Sequence, residues 1–170
     1  MEGKEVVFTT KQIEEGVERV AKILDRKFAG EAYSPIFLSI LQGGDMFCKD
    51  LMKQVDFVYQ YDTIEAKSYE GVEQKEVRII NQPTNDLHNR KIILVDDFCD
   101  SGNTIEKVSK YLRECEVQEI TIVTFLYKKK HDYTSIIHAY QVTNDDWLYG
   151  YGLDLNGKYR GEREIFKLNK

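Results

Sequence analysis

Cysteine, proline and tryptophan are all scarce in this 170-residue chain, numbering three, two and one. The cysteines, Cys48, Cys99 and Cys115, are odd in number and lack CxxC spacing. They therefore offer neither a disulfide framework nor a zinc pattern, and reduced thiols in a cytosol are the expectation. Low-complexity and repeated stretches are missing too, and no segment reads as a linker. No run approaches the ~18 apolar residues of a membrane helix, and the stretch from Met1 to Glu5 has no apolar signal core. A cytoplasmic protein without membrane contact is expected. Charge of one sign is also lacking. The 24 Lys and Arg against 29 Asp and Glu leave −5, so no global basic field exists to collect nucleic acid.

What remains is an ordinary globular composition, 42% hydrophobic and 31% charged. A chain of this length fits one domain that buries roughly two thirds of its unfolded surface. Thr9 and Gln12 form a plausible capping box. Ile13, Val17, Val20, Ala21, Leu24 and Phe28 then recur at helical spacing up to Gly30. Ile36 to Leu41 reads as a buried strand, Gln42-Gly43-Gly44-Asp45 as a tight turn, and Met46 to Val55 as a second helix. Phe57 to Ile64 alternates as a half-exposed strand does, Lys67 to Gln74 reads as a polar loop, and Val77 to Ile80 as the returning strand of a hairpin. Strand Ile92–Val95, a helix from Thr104 to Glu114 with Ile105, Val108, Tyr111 and Leu112 toward the sheet, strand Ile120–Tyr127 and a short strand from Ile136 to Val142 follow. Strands alternating with helices at this spacing predict an α/β domain with a mainly parallel sheet, whose ligands bind at the strand carboxyl ends.

The chemistry concentrates in Ile92-Ile93-Leu94-Val95-Asp96-Asp97-Phe98-Cys99-Asp100-Ser101-Gly102-Asn103-Thr104. A doubly buried strand delivers three carboxylates within five positions, and a small hydroxyl-bearing turn then opens a helix. Such a turn aims backbone N–H groups at one spot near a helix N-terminus, which holds phosphate. Paired acids beside it suit ribose hydroxyls and Mg²⁺, a hard ion that prefers oxygen. The run therefore predicts a site for a phosphorylated sugar and its metal. Cys99 has no neighbouring His to activate it and reads as a side chain buried beneath the turn. Lys128-Lys129-Lys130-His131 forms a local basic cluster at a strand end.

This run resembles the phosphoribosyl-diphosphate (PRPP) motif of the type I phosphoribosyltransferases, with every diagnostic position filled. Lys128, Trp147 and the run Gly150-Tyr151-Gly152-Leu153-Asp154 narrow the likeness to the hypoxanthine-guanine phosphoribosyltransferases, and it extends from about Ile36 to Phe166. The resemblance implies a type I phosphoribosyltransferase fold: a mainly parallel central sheet flanked by helices, with a small hood and a mobile loop. One domain would span 1–170, its core about 10–142 and its base-binding hood about 143–170. Asp96, Asp97, Ser101, Gly102, Asn103 and Thr104 would bind the ribose phosphate, and Asp100 would exchange a proton at purine N7. Gln42, Gly43, Gly44 and Arg160 would bind pyrophosphate; the family has a basic residue where this chain has Gln42, preceded by a cis peptide. Ser68 and Tyr69 would open the mobile loop. Lys128, Trp147, Leu148 and Asp154 would bind the purine, and Asp96, Asp97 and Asp154 would hold Mg²⁺.

The implied reaction is purine salvage, in which a 6-oxopurine and PRPP give the nucleoside 5′-monophosphate and pyrophosphate. Its partners are PRPP and a purine base, with neither nucleic acid nor membrane, in a homodimer or homotetramer. The residues leave open a catalytically weakened or PRPP-sensing regulatory paralogue and a xanthine-preferring transferase. Hypoxanthine, guanine and xanthine are not distinguished.

Overall fold

The computed structural model describes residues 4–70, 75–128 and 135–168. Its centre is a six-stranded sheet of β2 (Ile36–Leu41), β3 (Gln60–Glu70), β4 (Lys75–Asn81), β5 (Lys91–Cys99), β6 (Glu119–Lys128) and β7 (Ile137–Val142). Their order is β4-β3-β2-β5-β6-β7. All neighbours are parallel except the β3–β4 hairpin. The apolar runs Ile36–Leu41 and Ile92–Val95 occupy the middle of this sheet, where both faces are covered.

Helix α1 (Thr10–Phe28) starts where its sequence says: the Thr9 side chain accepts from the Gln12 N–H, and the Gln12 side chain accepts from the Thr9 N–H. Its apolar stripe packs with α2 (Gly44–Met52) on one sheet face, against Phe37, Ile93, Val95 and Phe125. Helix α3 (Asn103–Glu114) covers the other face, where Ile105, Val108 and Leu112 meet Ile36, Leu38 and Leu94. Tyr111 is only partly buried there. A separate three-stranded sheet joins β1 (Glu5–Phe8), β9 (Ile165–Lys167) and β8 (Leu148–Tyr149) in that order. No helix among the described residues is long and apolar enough to cross a membrane.

Four local expectations are corrected. The polar stretch from Lys67 is strand as far as Glu70, and Ser68 and Tyr69 pair with Val77 and Glu76. Hairpin pairing overrides their polar composition, while residues 71–74 lie outside the described residues, as do Lys129, Lys130 and His131. Phe57 and Tyr59 precede the strand instead of opening it. Phe57 lies against Phe28 and Phe37, and Tyr59 meets Phe37 edge-on. Strand β5 continues through Asp96 and Asp97 to Cys99, because β6 offers ladder partners that far, Cys99 opposite Tyr127. The hood sheet, finally, recruits β1 from the other end of the chain, with Val6 opposite Phe166.

Candidate active site

The carboxyl ends of β2, β5 and β6 converge, and the turns that leave them bring the sequence-predicted groups together. On β5 each acid is folded back onto the next amide. Asp96 accepts from the Asp97 N–H at 2.9 Å, and Asp97 from the Phe98 N–H at 2.7 Å. Burial lifts the Asp96 carboxyl well above the usual carboxylate range, and the neighbouring Asp97 charge lifts it further. Burial also raises Asp97, against the N–H donated by Phe98 and the charge of Arg160, which favour its ionised form. Cys99 is buried, and its thiol is pushed up to about 11 by desolvation, so it is inert at neutral pH.

The turn after β2 packs directly on this pair. The Leu41–Gln42 peptide is cis. A Cβ built on Gly43 would meet Asp97 Oδ2 at 2.1 Å, and one on Gly44 would meet the Val95 carbonyl oxygen at 2.7 Å. Backbone blocks any side chain at Gly44, and a Cβ on Gly43 fits only if the Asp97 carboxylate moves, so α2 begins with bare backbone beside buried Asp96 and partly buried Asp97.

Beyond β5 the chain turns into α3 through Gly102, whose φ of 81° is the left-handed geometry that glycine tolerates. Ser101 Oγ accepts from the Asn103 N–H at 3.3 Å. Gly102 caps α3 without a side chain, which leaves the Asn103–Thr104 end of the helix open toward the strand ends.

A cavity of about 410 Å³ lies beside these turns, a size suited to a small ligand. Asp97, Phe98 and Asp100 line one side, Lys128, Asp145 and Asp146 another, and Trp147, Leu148, Leu153 and Asp154 the rest. Lys128 ends β6 next to the β5 turn, so its buried ammonium stands 3.8 Å from Asp100 Oδ1 and pairs with Asp145. Trp147 is 63% exposed, which places its ring at the rim of the cavity and not in the core. Leu148, buried in β8, borders the same space. A larger cavity, about 540 Å³, lies at the amino ends of β2 and β3 among Phe28, Tyr33, Pro35 and Val58, and contains none of these groups.

The C-terminal turn closes the arrangement. Arg160 donates to the Gly152 carbonyl at 2.6 Å and to Asp154 Oδ1 at 3.0 Å, while Asp154 Oδ2 accepts from the Gly157 N–H at 2.8 Å. A Cβ on Gly152, whose φ is 94°, would lie 2.2 Å from the Gly43 carbonyl oxygen. The hood turn and the turn after β2 therefore touch backbone to backbone. Tyr151 anchors the hood turn from within: it is 1% exposed, and its hydroxyl donates to Asp50 of α2 at 2.9 Å.

Of the sequence-predicted residues, Asp97, Asp100, Lys128, Trp147, Leu148 and Asp154 line one cavity. Gly43 stands against Asp97 and Arg160 against Asp154, while Gly44 packs on the backbone of Val95 and Asp96 behind them. Ser68 and Tyr69 sit on the hairpin two strands away from β5. Sequence reasoning missed Asp145, Tyr151 and Asp50. The acids directly before Trp147 were the available signal for Asp145; nothing local marks Asp50.

Comparison with known proteins agrees with this geometry. A model of the phosphoribosyl transferase domain matches residues 5–155. The chain is 28% identical to a hypoxanthine-guanine phosphoribosyltransferase of Staphylococcus aureus, over 92% of this chain and 89% of that one. It is 30% identical to a hypoxanthine-guanine phosphoribosyltransferase of Mycoplasma genitalium, over 92% and 91%. The crystal structure of a hypoxanthine-guanine phosphoribosyltransferase from Bacillus anthracis superposes with a TM-score of 0.90 at 25% identity, covering 98% of this chain and 99% of that one. A cavity lined from the ends of β5 and β6, the segment 145–148 and the hood turn, in a chain with these relatives, identifies a member of the phosphoribosyl transferase family, on the branch of the hypoxanthine-guanine phosphoribosyltransferases.

Proposed function

We propose that the protein transfers the phosphoribosyl group of PRPP to N9 of a 6-oxopurine, forming the C1′–N9 bond, breaking the C1′–O bond and releasing pyrophosphate. The observation that carries this reading is the convergence of Asp100, Lys128, Trp147, Leu148 and Asp154 on one cavity next to the phosphate-binding turn. The Lys128 ammonium is a donor for the purine 6-oxo group, and the Trp147 ring is a platform for the base. Asp100, 3.8 Å from that ammonium, takes up the N7 proton as N9 attacks; general acid–base help of this kind contributes ~10²–10⁴-fold. The Ser101–Thr104 turn holds the 5′-phosphate at the N-terminus of α3.

The leaving pyrophosphate gains negative charge as the bond breaks, and groups aimed at that charge act most strongly in the transition state. Arg160 and the bare backbone of Gly43 and Gly44 supply such groups. The donor set also fits Mg²⁺. Asp96, buried, and Asp97, partly buried, are neighbouring like charges raised by desolvation, and a cation would relieve them. Mg²⁺ commonly binds through one or two carboxylates plus substrate phosphates, so no all-protein cage is required. When bound, the ion neutralises charge on the diphosphate. Asp97 and Asp154, which both border the cavity, would hold it, with Asp96 behind them.

A steady-state assay with PRPP, Mg²⁺ and each of hypoxanthine, guanine, xanthine and adenine tests the reading. Turnover with hypoxanthine or guanine that EDTA abolishes is the expected result. Binding of PRPP without turnover of any base would overturn it in favour of a sensor or a weakened paralogue.

A further inference from the structure

Among the described residues, Arg160 is the cation tied to the turn proposed to grip pyrophosphate, through Gly152, which touches Gly43. Arg160 approaches from the hood, tied to Asp154 and to the Gly152 carbonyl. The turn itself contributes Gln42, which is uncharged. The strand register shows what lies beside it. Strands β2 and β3 run parallel in unbroken register from Ile36 opposite Gln60 to Leu41 opposite Glu65. Strand β3 thus passes beside the turn just as β2 ends.

Side chains alternate along a strand, so Tyr61, Glu65 and Lys67 share one face. That face looks toward α2, because Tyr61 donates to Asp45 in its first turn at 2.5 Å. Lys67 stands one pleat beyond Glu65, about 7 Å further toward the strand carboxyl end, level with the turn that follows Leu41. Its ammonium pairs with Glu65 at 3.2 Å, and Glu65 is steadied through its other oxygen by Asn81 at 2.5 Å. The Lys67 side chain is 56% exposed, so its long flexible stem is free to leave that carboxylate for a stronger anion. Lys49, on the same face, lies further along α2 and is paired with Asp45 at 2.7 Å.

We infer that Lys67 is a pyrophosphate-binding residue that provides, from the neighbouring strand, the positive charge that Gln42 does not. The inference rests on the transferase reading. In the resting enzyme Glu65 parks the ammonium beside the turn. When the diphosphate group arrives, the ammonium passes from one carboxylate oxygen to phosphate oxygens, whose higher charge wins the competition.

The test is calorimetric binding of inorganic pyrophosphate with Mg²⁺, together with KM for PRPP and for the base, on the wild type and three variants. Lys67→Gln weakens pyrophosphate and raises KM for PRPP about five- to tenfold, as expected for a half-exposed charged contact, and leaves KM for the base within twofold. Glu65→Gln tightens pyrophosphate by twofold or more, because it removes both the parking partner and a repelling charge; a purely structural role for this pair predicts no such gain. Moving the charge to the turn, in the double variant Q42K/K67Q, brings pyrophosphate affinity back to within twofold of the wild type. A Lys67→Gln variant that binds pyrophosphate as the wild type does would overturn this inference alone. A wild type that neither binds pyrophosphate nor turns over PRPP would overturn the transferase reading and this inference with it.

Discussion

Gly43 and Asp97 approach so closely that a methyl group on the glycine would overlap the carboxylate, 2.1 Å from Oδ2. The φ of Gly43 is −61°, a value any residue adopts. The glycine is therefore required by the contact and not by its backbone conformation. Gly43→Ala should fold, with a melting temperature within a few degrees of the wild type, but should displace Asp97 from its place beside the turn. A rise in KM for PRPP of tenfold or more is expected in steady-state kinetics, with little change in KM for the base. Unchanged PRPP kinetics would show that Asp97 is not needed where it stands.

Asp100 separates binding from chemistry. It lines the cavity beside Lys128 and belongs to neither the phosphate turn nor the Asp96–Asp97 pair of β5. Asp100→Asn keeps the shape and removes the proton acceptor, so kcat should fall by ~10²–10⁴-fold. The Kd for PRPP, measured by calorimetry, should move less than threefold. Equal losses in both quantities would make Asp100 a binding residue only.

Much of this site is legible in the chain because it is built from runs in which strand, turn and helix signals follow each other within a dozen residues. Val95 to Thr104 is such a run, and Gly150 to Asp154 is another. What is not legible depends on contacts between distant segments. The pairing of Val6 with Phe166 brings the N-terminal strand into the hood sheet, and nothing in Glu5–Phe8 specifies an edge partner some 160 positions away. Lys67 to Glu70 reads as loop because its polarity is judged alone, whereas the ladder with β4 satisfies its backbone. Gly43 and Gly152 are visible as turn glycines, but their mutual contact is a property of the assembled fold.

Tyr151 links the hood turn to the core. Its hydroxyl donates to Asp50, and its own N–H donates to the Glu162 carbonyl at 3.0 Å. Tyr151→Phe removes one hydrogen bond to a charged acceptor, which Lys53 also reaches at 3.4 Å. A loss of about 1–2 kcal/mol is expected, equivalent to a melting temperature lower by about 2–8 °C for a domain of this size. Gly152 follows directly and carries the carbonyl that Arg160 grips, so KM for PRPP should rise more than KM for the base. Thermal melts and kinetics on the same preparation check both parts.

Buried Asp96, beside partly buried Asp97, makes the stability of the unliganded protein depend on pH with a definite sign. Burial raises Asp96 well above the ordinary carboxylate range of about 4, with the Asp97 charge adding to the effect. A folded-state value above the unfolded one means that the folded protein holds its proton more tightly. The stabilising contribution is then complete below the unfolded value and is lost as pH rises toward the folded one. Asp96→Asn keeps an oxygen to accept from the Asp97 N–H and never ionises, so it escapes that loss. Its melting temperature should exceed the wild type's by several degrees at pH 7.5, and the gap should shrink as pH is lowered toward 4.5. Adding PRPP with Mg²⁺ should reverse the ranking, because a bound cation favours the ionised pair that the variant lacks. A gap that is flat across this range would show that Asp96 carries its charge in the folded protein as freely as in the unfolded chain.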